Sequence, residues 1–247
     1  MTMFKGLEDN GLEQAQDRLG GFQPLTTNIY EATIKAAFAA KSSGGAMGIT
    51  IMADVGGRDY RETIYVTNKN GENFFVNQTD KTKKVPLPGF TVINDICLIA
   101  CDKPLSQMET EQKVISLYDY DQKKEVPKPV DMITELLGKK VALGIVRQLE
   151  NKSVKDSNGV YQPTDETRES NVTEKVFHPE MKVTVVEAQN GKSTGEFWDS
   201  WLERNKDQVR DKRERKDGKG GAPKAAPQAS GNASAAPARP SLFGGKK

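Results

Sequence analysis

The segment NIYEATIKAAFAAK (28–41), followed by AMGITIMADV (46–55) and RDYRETIYVTN (58–68), decides the fold class of this 247-residue chain. Apolar residues recur at every second position, which is the spacing of a half-buried strand. In the first segment these residues are Tyr30, Ala32, Ile34, Ala36, Phe38 and Ala40. Gly56-Gly57 and Asn70-Gly71 permit the positive φ of tight hairpin turns. The pattern predicts three antiparallel strands and a short fourth strand.

The middle of the chain changes period and then returns to strands. Residues at three-to-four spacing, which is typical of a buried helix face, are Phe90, Ile93, Cys97 and Ala100. A short helix is expected at 130–138, and strands are expected at 113–121, 139–150 and, after a turn-rich insertion (151–170), at 172–179 and 181–188. This order predicts a mainly β fold with helices, namely a five-stranded barrel of the OB type with insertions. A different α+β sheet is the alternative.

The net charge of +2 hides an uneven distribution. From Leu202 onward there are twelve Lys and Arg and five Asp and Glu, which gives +7, and the earlier residues hold 24 basic and 29 acidic side chains, which gives −5. The last thirty residues are mostly Gly, Ala, Pro and Ser and hold too little apolar surface to fold. We therefore expect a loosely ordered N-terminal segment (1–27), an OB-like domain (28–188), a charged amphipathic helix (195–217) and a disordered basic tail (218–247).

The composition argues against an enzyme, a metal site and a membrane protein. Cys97 and Cys101 are the two cysteines, whereas a structural zinc site needs about four ligands. Gly191-Lys192-Ser193 lacks the glycine that a phosphate-binding loop has five residues earlier, where Val186 stands. The single histidine, His178, has no evident nucleophile beside it. We expect no catalytic residue, no metal and no cofactor. The sequence has no run of eighteen apolar residues, so no membrane span is expected either.

The strand at 59–67 carries the first candidate site for a nucleic acid. Its pleat puts Arg61 and Tyr65 on one face and Tyr60 on the other, and Arg58 lies at the turn that leads into it. Single-stranded DNA is held by cations along its phosphates and by flat side chains stacked on its bases, each stack being worth roughly 1–3 kcal/mol. This face suits that chemistry, and an ordinary solvated sheet face is the alternative.

The turn and hairpin after this strand carry further cations, which are Lys69, Lys81, Lys83 and Lys84. The last three form a basic loop that can move over a bound strand and place charge on it. Because neighbours on a strand alternate faces, one of Phe74 and Phe75 points away from the core and is a candidate base contact. A solvated hairpin tip is the alternative.

The helix predicted from Gly195 has an apolar patch near its start, formed by Trp198, Trp201 and Leu202. Such a patch most often docks a terminal helix on the body of a protein. Dimerisation or the binding of a partner protein is the alternative.

Segments along nearly the whole chain resemble single-stranded DNA-binding proteins that tailed bacteriophages encode. They are LGGFQPLTTNIYEATIKAAFAAKSSGGAMGITI (19–51), GRDYRETIYVTNKNGENFFV (57–76), PLPGFTVINDI (86–96), VPKPVDMITELLGKKVALGIV (126–146) and SLFGGKK (241–247). The resemblance implies an OB-type core without catalytic residues that coats single strands exposed during DNA replication and recombination. The corresponding location is the cytoplasm of the host cell.

The resemblance also implies that a terminal segment contacts replication or recombination proteins, here through Leu242 and Phe243. Many single-strand binders end in an acidic tail with a terminal aromatic residue, whereas ARPSLFGGKK (238–247) is basic. An acidic-tail mechanism is therefore not expected. The SLF segment is expected either to dock a partner or to lie in a tail that only adds charge.

These patterns predict a non-catalytic protein that binds single-stranded DNA without sequence preference. One alternative is an interaction protein that binds a replication or host protein through the Trp198/Trp201 helix or the SLF tail, which the acidic body favours. Another is an RNA-binding protein, since OB-type grooves accept either polymer. Phosphate binding weakens steeply with ionic strength, whereas an apolar helix contact barely changes. The sequence does not define the oligomeric state.

Overall fold

The computed structural model describes residues 23–119, 122–156, 161–213 and Leu242. This part of the chain is mainly β, with ten strands, three α-helices and two 3-10 helices, and its centre is an open, largely antiparallel sheet of eight strands. Nearly all of the predicted N-terminal segment (1–27) lies outside the described residues. So does the predicted basic tail, apart from Leu242.

Three consecutive strands form the predicted meander: β1 (Asn28–Lys41), β2 (Met47–Val55) and β3 (Arg58–Tyr65). β2 pairs antiparallel with both β1 and β3. Gly56 and Gly57 have φ of +59° and +80° at the turn between β2 and β3, as a tight hairpin requires. The alternating pattern thus identified these strands correctly.

A hairpin arm and a helix follow the meander. β4 (Phe74–Val76) and β5 (Lys84–Pro86) form a separate two-stranded sheet, and α1 (Pro88–Cys101) begins directly after it. Pro88 stands at the start of the helix, where its missing N–H is not needed, and Asp102 ends the helix with a left-handed φ of +56°. The side chains that α1 buries include Ile93, Ile96 and Cys97, in agreement with the predicted helix face.

A second hairpin covers the outer face of β1. β6 (Glu111–Asp119) and β7 (Lys124–Met132) pair along their whole length, and Met132 pairs with Phe38. Ala36, Phe38 and Met132 are buried together, and half-buried residues pack around them: Met52, Ile115, Leu117 and Val130. The expected helix at 130–138 is instead the end of β7 followed by a 3-10 helix, Thr134–Leu136.

The longest strands are β8 (Lys140–Lys155) and β9 (Tyr161–Phe177), which pair with each other antiparallel. The first part of β8 also pairs with β1, so that β1 lies between β2 and β8. The expected turn-rich insertion (151–170) is largely a continuation of this hairpin. Its side chains are mostly exposed, and cross-strand ion pairs such as Lys152–Glu166 (2.9 Å) support it.

The end of the described region differs from the prediction in two places. Residues 181–188 form no strand, because Thr184 and Glu187 make a capping box that starts α2 (Val185–Gln189). α3 (Glu196–Asn205) ends well before residue 217, and β10 (Val209–Asp211) then pairs parallel with β8. Beyond Leu202 the sequence offers no apolar stripe that a longer helix could bury.

Side chains bridge β3 and β9, between which no backbone ladder forms in the described part of the chain. Glu62 Oε2 accepts a hydrogen bond from the Tyr60 hydroxyl (2.7 Å) and one from the Thr173 backbone N–H (3.0 Å). Burial raises the pKa of the Glu62 carboxyl and the pKa of the Tyr60 hydroxyl. These three residues, the β3–β9 seam, hold the two edges of the open sheet together.

The main core lies between α1 and the inner face of the sheet. Its fully buried members include Ile34, Ile51, Ile93, Ile96, Leu143 and Ile145. Within the described ranges, no helix is long and apolar enough to cross a membrane.

Candidate nucleic-acid interface

The outer face of β3 carries the predicted stacking residues. Tyr60 and Ile64 are buried, whereas Arg61, Thr63 and Tyr65 are exposed, so the pleat is as the sequence predicts. Tyr65 is 46% exposed. This strand therefore presents a cation and an aromatic ring to solvent on one face.

Gly48 on β2 lies opposite Tyr65 and lets its ring approach the neighbouring strand. A Cβ at Gly48 would stand 3.0 Å from Cδ1 of the Tyr65 ring and 3.0 Å from the Ile64 carbonyl oxygen, which is closer than side chains normally come. The hydroxyl groups of Thr50 and Thr63 are 2.8 Å apart in the next cross-strand pair. Gly48 therefore gives the Tyr65 ring room to lie against β2 while the residue stays 46% exposed.

The two ends of this outer face differ in charge. At the β2–β3 turn, Lys35 Nζ lies 2.7 Å from Asp59 Oδ1 and 3.4 Å from Asp54 Oδ2, so that end holds two carboxylates and one cation. Arg61 lies nearer the middle, opposite Met52, and no ion pair of its side chain is found among the described residues. The end that includes Arg61 and Tyr65 is therefore the one that suits a polyanion.

The arm formed by β4 and β5 continues the site beyond Tyr65. Lys84 Nζ lies 4.2 Å from the centre of the Phe74 ring, a cation–π contact, and Phe74 is half-buried. Phe75 on the opposite face is 48% exposed, so it is the outward ring of the pair. The arm thus offers one aromatic ring to solvent and holds the other beneath a cation.

The lysines of the arm are not equivalent. Lys83 Nζ lies 3.2 Å from Asp80 Oδ2, and hydrogen bonds from Thr82 and then Lys83 lower the pKa of Asp80. Lys81 is exposed and, within the described ranges, makes no ion pair. Lys81 and Lys84 are therefore the better phosphate contacts, and Lys83 already has a carboxylate beside it.

The arm and β3 are joined at their bases. The Leu87 N–H donates to the Asn73 carbonyl (2.9 Å), which closes the arm. Gly89 packs against the backbone of Tyr65 so closely that a Cβ there would collide with the Tyr65 carbonyl oxygen. Lys69 lies between the two elements, in a turn in which the Asn68 side chain accepts two backbone N–H groups. These contacts bring most predicted site residues to one end of the sheet.

Arg58 is the predicted site residue that the structure separates from the others. Its Nη2 donates to the Gln23 carbonyl oxygen, and its side chain shares the face of β3 that carries Tyr60, opposite Arg61. The sequence pattern placed Arg58 at the turn but did not reveal that the chain before β1 returns to contact it.

Two neighbouring elements of the site were missed by the sequence reasoning. Residues 42–46, between β1 and β2, approach the turn of Lys69, since a Cβ at Gly45 would stand 3.5 Å from the Lys69 carbonyl oxygen. The β6–β7 hairpin packs beside Met52 and forms a wall along the outer face. The alternation of Ile115 and Leu117 was a signal for the second element, but it does not reveal which surface they contact.

The two cysteines and the histidine, considered above for metal binding and catalysis, make contacts within the fold. Cys97 is buried, which raises the pKa of its thiol to about 12, and Cys101 Sγ lies 3.4 Å from the Glu135 carbonyl oxygen. His178 Nδ1 accepts backbone N–H groups of Glu180 and Met181 in a tight turn. In the part of the chain that the structure describes, no group of three or more His, Cys, Asp or Glu side chains is placed to hold a metal ion.

The predicted partner-binding patches have different surroundings. Trp201 is 4% exposed and packs edge-to-face on Phe177, and Trp198 packs on the same ring, so this part of the helix docks on the body. Phe197 is 43% exposed. Leu242 of the SLF segment is partly buried against the main core, and Phe243 lies outside the described residues.

Comparison with protein-family models and with curated proteins finds no match for this chain.

Proposed function

We propose that this protein binds single-stranded DNA without sequence preference and has no catalytic activity. One observation carries the proposal: the exposed rings of Tyr65 and Phe75 lie on two elements that are joined at their bases. Arg61 and Lys81 are exposed on the same elements, and Lys69 is exposed in the turn between them. Aromatic platforms interleaved with cations are what sequence-tolerant binding of single strands requires.

The topology supports an OB-type core for this function. β1, β2 and β3 form a meander, α1 follows β3, β8 pairs with β1, and β9 pairs with β8. These five strands are the number that the partly open barrel of an OB fold needs. On this interpretation β4–β7 are insertions, and the β3–β9 seam stands where a barrel would close. OB folds bind oligonucleotides on the face of their second and third strands, which here is the face of Tyr65.

In the proposed mechanism the cations draw the phosphates to the outer face, and bases stack on Tyr65 and Phe75. Contacts with phosphates and ring faces carry no sequence information, so every base is accepted. Four cations, namely Arg61, Lys69, Lys81 and Lys84, give an expected slope of log K against log salt of about −3, at about −0.7 for each phosphate of a single strand.

The biological setting is proposed from the sequence resemblance. A protein of this kind coats single strands exposed during phage DNA replication and recombination, in the cytoplasm of the host cell. It protects them and prevents re-pairing, and replication or recombination proteins are its expected partners. RNA is a second possible polymer, since the outer face of β3 has no group dedicated to a 2′-hydroxyl.

Single substitutions test the site against matched controls. Tyr65→Ala and Phe75→Ala each remove one stacking ring, and each is expected to weaken binding of an oligo-dT by about 5- to 150-fold, which corresponds to roughly 1–3 kcal/mol. Tyr118→Ala is the control, because Tyr118 is also 46% exposed but lies on the side of β6 that faces away from the site, opposite Ile115 and Leu117. Equal losses for Tyr65→Ala and Tyr118→Ala contradict the proposed site.

A pair of arginine variants tests the electrostatic part. Arg61→Ala is expected to reduce the salt slope by about 0.7, the contribution of one phosphate contact. Arg58→Ala is expected to leave the slope unchanged, because Arg58 contacts Gln23 on the other face. The reverse result would place the site on the other face of β3, which carries Arg58 and Tyr60.

The exposed ring of Phe197 favours a second candidate, in which α3 binds a replication or host protein. Lys175 Nζ lies 5.6 Å from the Phe197 ring centre, so this ring and its cation are available at the surface. Such binding is expected to be lost on Phe197→Ala and to change little with salt. Oligo-dT binding that is lost on Phe197→Ala but not on Tyr65→Ala would favour DNA contact at α3 instead.

A further inference from the structure

The C-terminal SLF segment contacts the body of the protein at one described residue. The Leu242 N–H donates a hydrogen bond of 2.9 Å to Asp102 Oδ1, and the Leu242 side chain is partly buried against the main core. A backbone hydrogen bond and an apolar contact are thus made together by a residue 140 positions from its acceptor.

The place of contact is the C-terminal end of α1. Asp102 follows the last helical residue with its left-handed φ, and the last turn of α1 contains no basic residue. The peptide dipoles leave partial negative charge at this end, and the Asp102 carboxylate adds a full one. Of the neighbouring cations, Lys103 is paired with Glu135 (2.5 Å), and Lys139 lies near Cys101. Three partly buried apolar side chains lie near Asp102 in the chain: Cys101 before it, and Leu105 and Met108 after it.

The sequence around Leu242 is complementary to this surface. Arg239, Lys246 and Lys247 flank the apolar pair Leu242-Phe243, and no acid lies in the last thirty residues. A basic peptide with an apolar centre therefore meets an apolar margin and the Asp102 carboxylate, which makes no ion pair among the described residues.

We propose that the C-terminal end of α1 is a peptide-docking site whose occupant is the SLF segment of the same chain. Residues 214–241 connect the described body to Leu242, and at about 3.3 Å for each residue they span up to about 95 Å, so the segment reaches the site without a second molecule. A tether of this kind supplies an effective concentration on the order of 1 mM, so even a weak peptide contact is populated.

The docking site is separate from the proposed DNA site. Gly89, at the first turn of α1, contacts Tyr65, whereas Asp102 lies at the other end of the helix, 13 residues later and about 20 Å away along its axis. The docked segment therefore leaves the outer face of β3 open. A partner that recognises SLF competes with Asp102 for this segment, and DNA does not.

The test uses backbone amide NMR of the full chain and of its Leu242→Ser variant. The variant is expected to shift the amide signals at the end of α1, those of Cys101 and Asp102 above all. Addition of the synthetic peptide ARPSLFGGKK to the variant is expected to restore the signals saturably, with a Kd of about 1 mM or tighter. Leu242→Met, which keeps an apolar side chain, is the control and is expected to resemble the unchanged protein.

A second variant removes the acceptor. Asp102→Gly takes away the carboxylate and suits the left-handed φ, so the fold is retained. It is expected to weaken peptide binding several-fold. Two results would overturn the proposal: unchanged α1 amide signals in Leu242→Ser, or an affinity for the peptide that Asp102→Gly does not reduce.

Dilution identifies the occupant. Docking within one chain does not depend on protein concentration, whereas loss of the docked signals on dilution would assign the site to the tail of another copy and overturn the assignment. Oligo-dT binding by Leu242→Ser is measured in parallel. Since the two sites are separate, failure of the docking proposal leaves the DNA result unaffected, and the reverse also holds.

Discussion

Replacement of Glu62 by alanine tests whether the β3–β9 seam closes the sheet. One oxygen of Glu62 accepts both the Tyr60 hydroxyl and the Thr173 backbone N–H, which lies 111 positions away in the sequence. Alanine removes both bonds. It leaves the Thr173 N–H without its acceptor in a residue that is 5% exposed, while the Tyr60 hydroxyl keeps a contact of 3.1 Å with Thr173 Oγ1.

The expected loss follows from these contacts. A hydrogen bond to a charged group contributes roughly 1.5–3 kcal/mol, and a buried donor without a partner costs about 1–3 kcal/mol. Removing the carboxylate also relieves its desolvation, which is the effect that raises the pKa of Glu62. We therefore expect the free energy of unfolding to fall by about 3 kcal/mol for Glu62→Ala, and Tm by about 6–12 °C.

Glu62→Gln is the matched control. Its amide oxygen can occupy the place of Oε2 and accept both bonds, and the loss of the charge removes the desolvation penalty. Urea unfolding at neutral pH should therefore give Glu62→Gln a stability within about 1 kcal/mol of the unchanged protein. Hydrogen exchange at the Thr173 amide should accelerate in Glu62→Ala only. If Glu62→Ala is as stable as the unchanged protein, or if Glu62→Gln is equally damaging, this account of the seam is refuted.

Three further predictions concern the core. Burial raises the pKa of Asp95 from 3.8 to about 6. Between these two pH values the native state binds more protons than the unfolded state, so the free energy of unfolding falls as pH rises from about 3.8 to about 6. Asp95→Asn should reduce this slope in urea titrations, with Glu62 as a remaining contributor because burial raises its pKa as well, and should stabilise the protein at neutral pH by up to about 3 kcal/mol. Trp201→Ala should lower the free energy of unfolding by about 3–5 kcal/mol, and Phe197→Ala by under about 1 kcal/mol, because only Trp201 is buried. Native Cys97 should resist a thiol reagent at pH 8 while Cys101 reacts first, since burial raises the pKa of Cys97 to about 12; faster reaction at Cys97 would contradict its burial.

The local patterns of the sequence predicted the elements whose apolar period is strong. The alternation in β1–β3 and the three-to-four spacing of Ile93 and Cys97 reflect side chains that face one core, so they are visible without the rest of the chain. The same alternation placed Arg61 and Tyr65 on a common exposed face, and this is what the structure shows.

The remaining features depend on contacts between distant residues, which a local pattern does not contain. The helix predicted to residue 217 ends at Asn205, and Val209–Asp211 pairs with an edge of β8 that is unknown until β8 is placed. The Arg58 contact with Gln23 and the Glu62 contact with Thr173 likewise join separate parts of the chain. Charge and turn signals identified the arm of β4 and β5, but its closure beside Tyr65 needed the structure.

Fluorescence anisotropy with a labelled oligo-dT of about thirty nucleotides, titrated at several salt concentrations with and without a duplex competitor, measures the proposed binding of single-stranded DNA. We expect tight binding at low salt, a slope of log K against log salt of about −3, and little displacement by the duplex. Absence of binding at low salt, or equal displacement by duplex and single strand, would contradict the proposed function.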